Sequence, residues 1–281
     1  MALLPIKAME QQKDQFASKT LLAIDSVVET GQGRNYSGMS GIGNKCIRAL
    51  QYASRNAFDK EIPARVNRIF EAGHKFEDIM IESLKSAGVE VFDEQLEVVG
   101  FAGHWKGHID GKCIGVLEAP KTVHLAEFKT MKDSKFKTVV KKKVKDAFPG
   151  YYAQMQMYMH YTKLTRALFM AINKDTCDYY IERIHYDKNF SLELVRKSEE
   201  VFLMEYLSHR IGNEDSFDCR FCNAKQVCFG EIEINKNCRT CENVDIENEG
   251  KWVCGKEWQE IDTFEKQMAG CRHWVKAEFF I

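Results

Sequence analysis

Asp110, Glu127 and Lys129 are residues whose types and spacing can do chemistry together. Glu127 and Lys129 stand two residues apart in His124-Leu-Ala-Glu-Phe-Lys-Thr130. A β-strand alternates its side chains between two faces. On a strand, Leu125, Glu127 and Lys129 share one face, and Ala126 and Phe128 share the other. Asp110 lies in Gly107-His-Ile-Asp-Gly111, on an expected strand able to pair beside the first. Two carboxylates a few ångströms apart repel each other unless a cation sits between them. Hard oxygen ligands of this kind favour Mg²⁺ or Mn²⁺. A lysine beside them would orient or help deprotonate a water and stabilise developing negative charge, as in-line hydrolysis of a phosphodiester requires. Taken alone, Glu-x-Lys is more often an ordinary ion pair on a solvent-facing strand. The surroundings have to decide.

Those surroundings read as an α/β chain. Helices are expected over Met9–Glu29, Cys46–Tyr52 and from Pro63 to Ala87, the last with apolar residues Val66, Ile69, Phe70, Phe76, Met80 and Leu84 at the 3.6-residue period. A Gly-, Ser- and Asn-rich loop is expected over Gly31–Gly43. Three strands follow, over Val89–Val99, Trp105–Val116 and Val123–Met131. Next come a basic helix over Asp133–Asp146, a break at Pro149-Gly150 and a helix over Tyr151–Thr162. Strands over Ala167–Ile172 and Cys177–Tyr186 and a helix over Ser191–Arg210 complete the order. This order predicts a mixed sheet flanked by helices. Beyond Gly212 cysteines, asparagines and acids dominate, and small metal-stapled structure is expected.

The 281 residues, 44% apolar and 29% charged, suit a globular chain with a substantial core. The longest apolar run, Ala167–Ile172, is far below the roughly 20 residues of a membrane span. The N-terminus carries no secretory pattern, so a cytoplasmic, reducing compartment is expected. Net charge is −1, so any basic surface is local. Of ten cysteines, seven crowd between Cys219 and Cys271. In a reducing compartment such clusters bind metal more often than they form disulfides. Cys113 and Cys177 sit in strand-like stretches and read as core residues.

Together these elements resemble the PD-(D/E)XK nucleases, specifically the RecB-like branch. Four motifs occur in that family's order: Ala72-Gly73-His74 on the helix before the strands, Gly107-x-x-Asp110, Glu127-x-Lys129 and Gln154-x-x-x-Tyr158. They cover about residues 64–186. The proline of the family name is absent, Ile109 preceding Asp110, as is common in this branch. The resemblance implies a restriction-endonuclease-like core. Asp110, Glu127, the Phe128 carbonyl and His74 would bind the metal, and Lys129 would serve the attacking water. Gln154 and Tyr158, at i and i+4 on one helix face, would contact the scissile strand or brace the site. Glu77, one turn beyond His74, joins the site or is a solvated helix charge; His108 is expected to face solvent or serve structure.

Cys219-x2-Cys222-x5-Cys228 is one thiol short of a tetrahedral or cluster site. Cys46, in Gly43-Asn-Lys-Cys-Ile-Arg-Ala-Leu-Gln-Tyr52, is the candidate fourth. The resemblance extends to RecB-like nucleases with a [4Fe–4S] cluster, the CRISPR-associated and AddB types, which carry one cysteine before the core and three after it. It implies such a cluster here, with zinc in the same ligands as the alternative. Cys238-x2-Cys241-x12-Cys254 resembles a zinc ribbon, completed by Cys271 or, as runner-up, His273. Trp252, Trp258 and Trp274 are expected to cover it.

Lys132, Lys135, Lys137, Lys141, Lys142, Lys143 and Lys145 begin three residues after Lys129. Beside a nuclease motif they read as a phosphate-neutralising track. Tyr151 and Tyr152 follow as candidate base-stacking rings or, equally, as packing residues. The expected organisation is an N-terminal segment over 1–60, the nuclease core over 61–212, the iron–sulfur segment over 213–234 and the ribbon over 235–281. The expected function is a Mg²⁺- or Mn²⁺-dependent deoxyribonuclease, an exonuclease on DNA ends or single strands in recombination, repair or CRISPR adaptation. A separate motor or partner chain would supply unwinding, since no G-x-x-x-x-G-K-[ST] occurs. The alternative is a catalytically silent binder of DNA ends.

Overall fold

The computed structural model describes residues 18–26, 28–31, 34–247, 250–257 and 259–280. The first part of the expected Met9–Glu29 helix, two residues of the expected Gly31–Gly43 loop and Trp258 lie outside the described residues. Helix α1 spans Lys19–Asp25, and Val28–Gly31 is a strand, β1, so the helix stops short of Glu29. Strand β2 (Ser37–Gly38) interrupts the expected loop, and helix α2 covers Ile47–Ser54. Strand β3 (Lys60–Pro63) pairs antiparallel with β1 and leads into helix α3 (Ala64–Ser86).

Strands β4 (Glu90–Phe92), β5 (Glu97–Gly100), β6 (Trp105–His108) and β7 (Gly111–Ile114) replace two longer expected strands. Each expected run is split between two sheets. Strands β4 and β7 join the central sheet, while β5 and β6 pair with each other, and β2 adds parallel to β6. Strand β8 covers His124–Met131, followed by helices α4 (Asp133–Ala147) and α5 (Pro149–Thr162). Pro149 opens α5 at its first turn, where its missing N–H costs nothing. Strands β9 (Arg166–Asn173) and β10 (Tyr179–His185) precede helix α6, which ends at Leu203 rather than Arg210.

The central sheet has the order β10-β9-β8-β7-β4. Only β8 and β9 pair in parallel, so the sheet is mixed. Strand β8 is buried on both sides because helices cover both faces. Ala126 and Phe128 pack with Leu168, Met170 and the Met80, Ile81 and Leu84 side chains of α3. Leu125 faces the other way, into the core formed with Phe169, Val139 of α4 and Met155 of α5. The alternation read along this strand therefore holds. The apolar stripe of α3 holds only in its second half: Ile69 and Phe70 are exposed.

The C-terminal part contains short helices α7 (Phe217–Arg220) and α8 (Lys225–Phe229), strands β11 (Val244–Glu247), β12 (Lys251–Cys254) and β13 (Gln259–Glu260), and helix α9 (Phe264–Ala269). The three strands form a sheet of their own, but Val244, Trp252 and Ile261 join the principal core. Two buried arginines lock this region to α2. Arg239 donates to the Ser54 carbonyl at 3.0 Å, and Arg55 donates to the Arg239 carbonyl at 3.1 Å. Their guanidinium groups lie 5.0 and 5.6 Å from the Trp252 ring centre, within cation–π range. Among the described residues no helix is long and apolar enough to cross a membrane.

Candidate active site

Asp110 sits where the chain leaves one sheet for another. Its chain neighbour Gly111 begins β7 and pairs with Ala126, the last β8 residue that β7 reaches. The next inward-pointing amide of β8, that of Phe128, donates to the Asp110 carboxylate at 2.6 Å. A side chain thus replaces the ladder bond the departing strand no longer supplies, and it fixes Asp110 against β8. Ile109, fully buried, anchors the crossing point.

Glu127 is completely buried in mid-strand, opposite Phe169 of β9. Its Oε1 meets the Lys129 ammonium in a close ion pair, while Oε2, equally buried, has no partner. Lys129 Nζ also donates to the Phe128 carbonyl at 3.0 Å and stands 3.9 Å from Asp110 Oδ2. Burial pushes the Glu127 carboxyl up, against the pull of Lys129. Burial also works against the Lys129 ammonium, but Glu127 and Asp110 outweigh it and hold the group above the usual lysine range. The Tyr151 ring closes the remaining side, its centre 5.4 Å from Nζ.

Glu77 of α3 belongs to the same electrostatic group. Its carboxyl is raised to about 7, first by burial and then by Asp110, against Lys129. Gln95 Nε2 donates to its Oε1 at 3.2 Å. His74, one turn earlier, is exposed. The rotation of α3 thus brings Glu77, and not the motif histidine, towards the two strand carboxylates. The sequence signal for Glu77 is its place one helical turn beyond Gly73, which a reading centred on histidine undervalues.

Gln154 and Tyr158 are buried. The Tyr158 hydroxyl donates to the His108 carbonyl at 3.0 Å, and its ring lies against Gly107, where a Cβ would overlap the hydroxyl. Tyr158 braces β6, the strand that leads into Asp110, and neither residue lines an open surface. Tyr152 is also buried, against Phe190 and beneath Lys145. Its expected stacking on bases is not available to it. Tyr151 packs on Phe148 and Phe169 besides Lys129. His108 is exposed.

The seven lysines are all exposed. Lys132 caps α4, and Lys135, Lys137, Lys141, Lys142, Lys143 and Lys145 lie on it. Lys137 is tied to Asp133 at 2.8 Å. Helix α4 breaks at Lys143, whose φ is 64°. The Glu182 carboxylate of β10 accepts the freed Val144 N–H at 2.9 Å. This break was not expected, because nothing in a lysine run marks it.

Both cysteine sets are drawn together. Cys46, Cys219, Cys222 and Cys228 line one small cavity. Burial raises the Cys222 thiol, and Cys46, Cys228 and Cys219 add to the rise. Cys238, Cys241, Cys254 and Cys271 line a second cavity, with His273 and Trp274 beside them. Burial raises the Cys238 thiol, with Cys271 the largest contribution among its three neighbours. Among the described residues no three His, Cys, Asp or Glu side chains are arranged tightly enough to hold a metal ion as they stand. Trp252 is buried and Trp274 half-buried around the second set. Cys113 is a core residue, its thiol raised to about 12 by burial. Cys177 is not: it is exposed, at φ 62° in the turn before β10.

No protein-family model and no curated protein sequence matches this chain. Among solved structures it is similar to the alkaline exonuclease LHK-Exo from Laribacter hongkongensis, at 18% identity over 60% of this chain and 87% of that one, with a TM-score of 0.47. It is similar to a phage related exonuclease from Haemophilus somnus 129PT at 14% identity, over 59% and 91%, with a TM-score of 0.43. A third similar structure, SSO0001, gives 16% identity, 72% and 89% coverage and a TM-score of 0.43.

Proposed function

We propose that this protein is a divalent-metal-dependent deoxyribonuclease of the PD-(D/E)XK type, acting on DNA ends or single strands. The observation that carries the reading is the buried Glu127 carboxylate, one oxygen held by Lys129 and the other without a partner, beside Asp110 and Glu77. A carboxylate set with an orphaned oxygen fits a hard cation such as Mg²⁺ or Mn²⁺. Asp110 and Glu127 would hold the ion from the sheet and Glu77 from α3; the Phe128 carbonyl, which accepts from Lys129, keeps a second lone pair for it. Such an ion supplies Lewis-acid polarisation and an activated water.

The remaining roles follow from the chain's own geometry. Lys129 would orient or help deprotonate the water and stabilise charge on the phosphate. Tyr151 roofs its ammonium, and Tyr158, with Gln154 beside it, holds the strand leading into Asp110 from behind. The exposed lysines of α4 neutralise the incoming backbone. The four thiols around Cys46 suit a [4Fe–4S] cluster or zinc, and the four around Cys238 suit zinc. Both would serve as staples.

The test is cleavage of end-labelled single- and double-stranded DNA by anaerobically purified protein with Mn²⁺, Mg²⁺ or EDTA. Metal-dependent cleavage that Lys129→Met and Glu127→Gln abolish supports the nuclease. Binding without cleavage by the wild type, in either metal, overturns it in favour of a silent DNA-end binder.

A further inference from the structure

A further cavity lies away from the carboxylates. It is an open cleft of about 710 Å³ between the segment around Tyr36, helix α2 and the start of the C-terminal region. Its charged side chains are Arg34, Lys236 and Asp59. Asp59 already accepts from Asn235 Nδ2 at 2.9 Å. Arg34 and Lys236 are exposed, and among the described residues neither makes an ion pair. They have only aromatic company: Arg34 lies 5.8 Å from the Tyr36 ring centre and Lys236 lies 5.6 Å from that of Trp274. Lys106 approaches the same Tyr36 ring at 5.9 Å, so two cations share one ring. Tyr36, Phe58 and Phe264 add aromatic surface to the walls.

We propose that this cleft is a second binding site, for a segment of single-stranded nucleic acid. Backbone phosphates lie at Arg34 and Lys236, and an unpaired base lies against the aromatic wall. Unpaired cations lining an open cleft are relieved by anions, and cations interleaved with aromatic rings are the means by which proteins hold single strands. A duplex does not suit the site, because its bases are stacked inside and present no free ring face. This proposal rests on the nuclease reading only for its choice of nucleic acid; the cleft shares no residue with the carboxylate site.

The test measures binding, without turnover. Full-length Glu127→Gln protein in EDTA is titrated with a fluorescein-labelled thymidine oligomer, followed by anisotropy across a salt series. Arg34→Glu/Lys236→Glu should weaken binding at least tenfold and flatten the salt slope by about 1.4, two single-strand phosphates at about 0.7 each. Arg34→Lys/Lys236→Arg should retain both, and thymidine monophosphate should compete weakly. Unchanged affinity and slope in the charge-reversal variant, with wild-type circular dichroism and melting, overturn the proposal. So does equal competition by the mononucleotide or preference for a duplex of the same length. If the wild type fails to cleave yet the oligomer still depends on Arg34 and Lys236, the nuclease reading falls and the cleft stands.

Discussion

The Asp110 carboxylate accepts the backbone N–H of Phe128 at 2.6 Å. This one bond ties the residue at the sheet crossing to the strand that carries Glu127 and Lys129. It means that Asp110 is placed by backbone geometry and not by the ion it is proposed to hold.

Removing one partner of the Glu127–Lys129 pair should cost more than removing both. Lys129→Ala leaves a fully buried carboxylate unpaired, at about 3–5 kcal/mol. Glu127→Gln/Lys129→Met should cost less. Urea denaturation of the two variants checks the order, and each should cleave DNA at least ~100-fold more slowly than wild type.

Glu77 gives the metal-free protein a pH signature. Its folded carboxyl is raised to about 7, so between its ordinary value of 4.5 and about 7 the folded state binds more protons than the unfolded one. Stability contributed by this group is present below about 4.5 and is lost as pH rises through about 7. Glu77→Gln should flatten that slope, by on the order of 1 kcal/mol after discounting for solvent screening of a half-buried group. Melting in EDTA from pH 4.5 to 8 reads it. Divalent-ion affinity should move the other way, tightening across the same window, and Glu77→Gln should weaken it more than His74→Ala.

Gly107→Ala should destabilise by about 1–3 kcal/mol, because its methyl group would overlap the Tyr158 hydroxyl. Tyr158→Phe removes the oxygen and should recover part of the loss in the double variant. Thermal melts of the three proteins form the cycle.

Cys46→Ala should lower bound iron or zinc by the content of one site, measured by elemental analysis. Cys113→Ala, whose thiol is buried in the core cluster beneath α3, should leave metal content unchanged. Equal metal in both variants would remove Cys46 from the first site.

Lys143→Gly should be neutral or stabilising by up to about 1 kcal/mol, since a non-glycine residue there holds φ at 64°. Loss of stability above that would mean that the Lys143 side chain itself contributes.

Strand β8 was legible because eight residues alternate between two cores, and that alternation also places Glu127 beside Lys129. Within each cysteine group the short spacings left few ways to close, whereas the membership of Cys46 was legible only through the family resemblance, since no spacing links it to Cys219. The split at Ile109-Asp110 was not, since both halves have strand composition and only the loss of pairing partners separates them. His74 against Glu77 was decided by the rotation of α3, and that depends on Met80, Ile81 and Leu84 packing under the sheet. Exposed Ile69 and Phe70 blur the same stripe in the sequence. The break at Lys143 depends on Glu182, a partner from a distant strand.

Cys46 and the Cys219–Cys228 group line one cavity from opposite ends of the chain. During synthesis the first of these thiols emerges well before the others, by about 10–35 s at about 5–20 residues per second. Through that interval the central sheet can assemble while Cys46 waits without its companions. The cavity is therefore among the last features of the molecule to form, and a nascent chain truncated before Cys219 should carry a pairable sheet and a Cys46 thiol without its three companions.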